Sequence, residues 1–173
     1  MKRIAIIGAG QSGLQLALGL QDSGYEVTVV SDRTPEQIRT GRVMSSQCMF
    51  GWALQTERDL GLNFWEQECP NVEGMSFAVP NPHGGKAIDW AARLDNPAQA
   101  VDQRVKMPRW MEEFERKGGE LVVKEAQIAD LESYARSHDL VIVAVGKGAL
   151  GTLFEPDATR SPYRTPQRIL ALT

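Results

Sequence analysis

A chain of 173 residues, 42% apolar and 24% charged, has the composition of an ordinary globular domain, long enough for a real core and too short for two full domains. A net charge of −3 gives no reason to expect nucleic acid or an anionic membrane as partner, and no apolar run approaches the roughly 18 residues that span a bilayer. His83 and His138 stand far apart with no second ligand at metal spacing, which argues against a zinc or iron site. Cys48 and Cys69, without a secretory signal, read as free thiols in a reducing, cytoplasmic setting.

In chain order, residues 4–7 are an apolar strand that runs into Gly8-Ala9-Gly10-Gln11-Ser12-Gly13 and then a Leu/Ala-rich helix over 11–23. Each glycine has its own use at this handover. Gly8 permits the tight turn out of the strand, Gly10 lets backbone N–H groups approach a diphosphate, and Gly13 lets the helix pack close to the strand. The helix turns its positive end toward the ligand. A strand at 26–30, ending in Ser31-Asp32-Arg33, completes a β-α-β unit. The glycine pattern is weak alone in a chain with 16 glycines, but this context gives it the meaning of a dinucleotide cradle.

Thr34-Pro35 then reads as the cap and first residue of a helical turn. A longer helix is expected over 45–60, with Met49, Trp52, Ala53, Thr56 and Leu60 as its core face and Gly61 ending it. Strands at 74–79 and 86–94 flank a turn at 81–85 and predict an antiparallel hairpin, which a purely parallel doubly wound sheet does not need. A helix over 101–117 closes on Gly118-Gly119, followed by a strand at 120–124, a short helix at 130–137 and an apolar strand at 139–145. That strand ends in Gly146-Lys147-Gly148, and ligands on open α/β sheets sit outside the carboxyl ends of such strands, which places Gly146 near the cofactor. The final apolar run, 169–173, stops at the terminus and reads as the end of a fragment.

The resulting class is α/β: a Rossmann-like βαβ domain over 1–173 with an inserted antiparallel β-hairpin and helices, a partial substrate layer falling at about 66–98. Two cofactors compete for the glycine loop. Ser31 stands where a ribose-binding carboxylate is usual, with Asp32 next to it; Ser31 followed by Arg33 equally suits a 2′-phosphate, the NADP arrangement. The long insertion with its hairpin favours FAD.

The ordered set of the glycine loop, the strand end 27–33, Ala100-Val101-Asp102-Gln103-Arg104, residues 139–147 with Ala149-Leu150-Gly151 behind, and Ser161-Pro162-Tyr163 before Pro166-Gln167-Arg168 resembles styrene monooxygenase epoxidase components. The resemblance is strongest at the two ends of the chain and weak from about residue 54 to 96. It implies the aromatic-hydroxylase flavoprotein fold in truncated form, and a two-component flavoprotein monooxygenase. In that family a separate flavin reductase makes reduced FAD, which reacts with oxygen to epoxidise a small aromatic alkene such as styrene or indole. By position, the resemblance implies Gly8, Gly10, Ser12 and Gly13 at the pyrophosphate and Ser31, Asp32 and Arg33 near the adenosine ribose. It also implies Arg42 and Ser45 near the flavin, Arg104 at the diphosphate, and Gly146 and Lys147 near the adenine end. Ser45 departs from the family, where an Asn is usual. The cofactor carries the hard chemistry, so no catalytic side chain is assigned and no Ser-His-Asp or paired-carboxylate set is expected. The family's substrate cavity and its Gly-Asp flavin motif fall beyond residue 173, so weak or absent turnover is expected of this chain alone. The oligomeric state, a homodimer included, is left open.

Overall fold

Residues 4–7 are buried on both sides, as an all-apolar strand between two helical layers must be. The computed structural model describes residues 1–161 other than Ser45, Lys147, Gly148, Phe154 and Pro156, so the 169–173 run lies outside the described residues. The chain runs β1 (Arg3–Ile7), α1 (Gln11–Asp22), β2 (Glu26–Ser31), α2 (Pro35–Arg39), β3 (Ser46–Met49), α3 (Gly51–Asp59) and β4 (Val72–Pro80). It continues β5 (Lys86–Asp102), α4 (Gln103–Arg116), β6 (Glu120–Val123), α5 (Ile128–Ser137) and β7 (Leu140–Val143), then a 3-10 turn over Ala149–Thr152.

β6-β2-β1-β7 form a four-stranded sheet, parallel throughout, with Ile4 opposite Val27 on one side and Leu140 on the other. One face is covered by Leu14, Ala17 and Leu18 of α1 and by Met107, Trp110, Met111 and Phe114 of α4. Each of the buried Leu, Met and Phe side chains contributes about 1.5–3 kcal/mol of transfer free energy. The other face gathers Ile7, Val30 and Leu150 with Leu131 and Tyr134 of α5. Helices on both faces of a parallel sheet define the doubly wound class that the β-α-β pattern predicts.

α2 is capped as its sequence predicts: Gln37 N–H donates to Thr34 Oγ1 at 3.1 Å, and Thr34 N–H donates to Gln37 Oε1 at 2.9 Å. The helix expected over 45–60 is corrected. Ser46–Met49 pair antiparallel with residues 99–102 of β5, and the helix starts only at Gly51. Its buried face is Leu54 and Glu57, while Trp52, Ala53 and Thr56 are exposed.

The hairpin is longer than expected because β5 runs on to Asp102, holding β4 along its first part and β3 along its last four residues. This makes a second, antiparallel sheet, β3-β5-β4. α4 accordingly begins at Gln103 instead of 101, with Asp102 as its N-cap accepting from Arg104 N–H at 2.8 Å.

Candidate functional site

All four strands of the parallel sheet present their carboxyl ends on one side, and a cleft of about 960 Å³ opens there. Gly8, Ala9 and Gly10 form its floor, Ser31–Arg33 and Arg42–Met44 one side, residues 124–126 and 144–146 another, and Gln103 and Met107 of α4 a further wall.

Gly8 and Gly13 take the turn and the close packing their spacing predicts. Gly8 has φ +122°, a conformation other residues rarely adopt, and a Cβ there would stand 2.5 Å from the Ala144 carbonyl oxygen. Its N–H still donates to Val30 O at 2.8 Å, so the turn begins while β1 is tied to β2. A Cβ on Gly13 would stand 1.9 Å from Gly8 O, which is how closely α1 rests on the loop. Gly10 differs: a Cβ there would meet no protein atom within 4 Å and would take up space the cleft offers a ligand. Gly10 is the N-cap of α1, with no side-chain cap and no acidic residue in the first turn, so the first N–H groups of the helix are left for an anion.

Of the other residues singled out in the sequence, Ser31, Asp32, Arg33, Arg42 and Gly146 line the cleft. Ser31 is buried, and its hydroxyl donates to Arg33 O at 2.7 Å and accepts from Arg33 N–H at 3.2 Å, folding the strand end into a tight turn. Arg33 Nε lies 3.5 Å from Asp32 Oδ1, and its Nη2 lies 3.1 Å from Met44 Sδ. Ser12 and Gly13 lie behind the cleft on α1, and Ser45 and Lys147 fall outside the described residues. Arg104 is not brought to the cleft. Its guanidinium turns to Asp102, with Nη2 at 2.7 Å from Oδ2 and Nε at 3.1 Å from both oxygens. These bonds, with the Arg104 N–H, hold the Asp102 carboxyl below the usual carboxylate range.

Lys124, Glu125 and Ala126 line the cleft without having been singled out. The signal was available: they follow β6 directly, and the carboxyl-end rule used for β7 applies equally there. Gln103 and Met107 carried no such signal, because only packing of α4 across the sheet brings them to the cleft.

An uncapped helix end, a floor of two glycines and an alanine, and a polar strand end at one cleft fit a dinucleotide. The fold that carries them is a Rossmann-like domain of the type seen in flavin-dependent oxygenases. A flavin-dependent brominase matches with a TM-score of 0.54 at 19% identity, covering 69% of this chain and 28% of that one. The tetrameric form of 2-methyl-3-hydroxypyridine-5-carboxylic acid oxygenase matches with a TM-score of 0.53 at 15% identity, covering 73% and 32%. In sequence the chain resembles styrene monooxygenase StyA, being 34% identical over 171 residues to the proteins from Pseudomonas fluorescens and Pseudomonas sp. The match takes in 99% of this chain and 40% of each relative, so the chain spans about two-fifths of their length, consistent with an amino-terminal portion of the epoxidase. The family model of NADP oxidoreductase, coenzyme F420-dependent, matches residues 3–45, the stretch that holds the β1-α1-β2 unit. Among the described residues no helix is long and apolar enough to cross a membrane.

Proposed function

We propose that this chain is the FAD-binding part of a two-component flavin monooxygenase that epoxidises styrene- or indole-like alkenes, with reduced FAD delivered by a separate flavin reductase. The observation that supports this reading is a cleft floored by Gly8–Gly10 at the uncapped amino terminus of α1, in a chain 34% identical to StyA over 99% of its length. Bound reduced FAD would supply the oxygen-activating chemistry. The protein's part is to bind and orient. We assign the diphosphate to Gly8, Gly10 and the first N–H groups of α1, with Ser12 and Gly13 in the turn behind them, the ribose to Ser31, Asp32 and Arg33, the flavin to Arg42 and, by the family resemblance alone, Ser45, and the adenine end to Gly146 and, by the same resemblance, Lys147. Arg104 reaches the diphosphate only by leaving Asp102. Residues 1–173 then form the FAD-binding domain, with the region at about 66–98 as the start of a substrate layer.

An NADP-binding module is the competing reading, supported by the family-model match over 3–45 and by Arg33. The Asp32 carboxylate beside Arg33 speaks against it, since a 2′-phosphate would meet that negative charge. Titration of the protein with FAD, with reduced FAD under anaerobic conditions and with NADPH separates the two. The expected result is binding of FAD, tighter when reduced; NADPH binding with neither form of FAD bound would overturn the oxygenase reading.

A further inference from the structure

Behind the cradle lies a buried charge network that the sequence does not announce. Glu57 of α3 is fully buried and the Lys106 side chain of α4 is 2% exposed, with Lys106 Nζ at 2.8 Å from both carboxylate oxygens. The ammonium also stands 5.2 Å from the centre of the Trp110 ring, one turn along α4, and Trp110 Nε1–H donates to Leu62 O at 2.9 Å. Burying an ion pair takes two charges out of water, and an apolar pair joins helices as well or better. The pair therefore invites a reason beyond packing.

That reason lies in a third bond to the same carboxylate. Gln11 Nε2 donates to Glu57 Oε1 at 2.8 Å, and Gln11 is the first residue of α1, directly after Gly10. A carboxylate only accepts, so it dictates that Gln11 presents its NH₂ group. The Gln11 Oε1 atom is left buried with no hydrogen-bond partner among the described residues, an unfavourable arrangement that the link to Glu57 holds in place. On α4, Gln103 and Met107, next to or one turn from Lys106, line the cleft. One carboxylate from α3, a helix that lines none of the cleft, thus holds both the start of the phosphate-binding helix and the wall on α4.

We propose that Glu57 is a positioning residue of the dinucleotide site: through Gln11 and Lys106 it sets the placement of the α1 amino terminus relative to Gln103 and Met107, and with it the affinity for the dinucleotide. This rests on the FAD reading above. The test uses the whole chain, FAD as the probe, and the variants Gln11→Ala, Glu57→Gln and their double, with Kd from flavin fluorescence and urea midpoints alongside. Gln11→Ala leaves the ion pair intact. It is expected to raise Kd about tenfold through the lost placement of the α1 amino terminus, with at most a small fall in the urea midpoint, since the same change removes the buried unpartnered Gln11 Oε1. The double variant is expected to bind no more weakly than the weaker single one, because both break one link. An unchanged Kd in Gln11→Ala, or losses that multiply in the double variant, would overturn the inference while leaving the FAD reading standing. If Glu57→Gln does not fold, Gln11→Ala decides alone. Native chain that binds neither form of FAD would instead sink the FAD reading, and this inference with it.

Discussion

Gly13 sits so tightly against Gly8 that a Cβ on it would lie 1.9 Å from the Gly8 carbonyl oxygen. Nothing in that contact is a flexible side-chain end, so neither partner has room to give. Gly13→Ala is expected to lose about 2–3 kcal/mol of stability. Gly10→Ala meets no atom within 4 Å, and its φ of −86° suits any residue, so its stability should stay within about 0.5 kcal/mol of native while FAD affinity falls. Urea denaturation with parallel FAD titration distinguishes the two, and equal stability losses would contradict this geometry.

On α3, Trp52 is 91% exposed and Leu54 is 1% exposed. Trp52→Ala is expected to change stability by less than about 0.5 kcal/mol, and Leu54→Ala to cost about 2–5 kcal/mol. Thermal or urea unfolding checks the pair; a large loss at Trp52 would restore the core face that periodicity suggests.

That face shows where local reading ran out. Met49, Trp52 and Thr56 recur at helical spacing, yet Met49 belongs to β3, whose pairing with residues 99–102 cannot be seen from within residues 45–60. The buried positions include Glu57, which reads as a surface residue until Lys106, 49 residues later, neutralises it.

Lys106→Met would strand the Glu57 carboxylate in the core and is expected to cost about 3–5 kcal/mol. Adding Glu57→Leu to it should recover most of the loss, since a well-packed apolar pair removes the unpaired charge. Unfolding free energies of the single and double variants test this; a double variant less stable than Lys106→Met would contradict it.

Glu113 is buried on α4 and accepts from Arg116 at 2.5 and 2.9 Å, which holds its carboxyl below the ordinary glutamate range. A folded pKa below the unfolded one gives stability that is complete above about pH 4.3 and lost as pH falls through the folded value. Urea midpoints measured from pH 6 to pH 3 should therefore fall less steeply in Glu113→Gln than in the native chain. Identical slopes would show that this pair adds nothing to acid sensitivity.

The sequence by itself determined what depends on neighbours along the chain: the glycine loop between β1 and α1, the Thr34 cap, the hairpin turn, and the apolar runs that become β1, β2 and β7. Turn geometry, capping and alternation act over a few residues, so the pattern that encodes them lies in the stretch that uses them. Only the tertiary structure decided that 46–49 become a strand, that Arg104 turns to Asp102 and not to the cleft, and that Gln103 and Met107 line it. It also brought Glu57, Lys106 and Gln11 together. Each of these outcomes, apart from the Arg104 pairing, depends on a contact across many residues, whose worth is set by burial and by the partner that packing supplies.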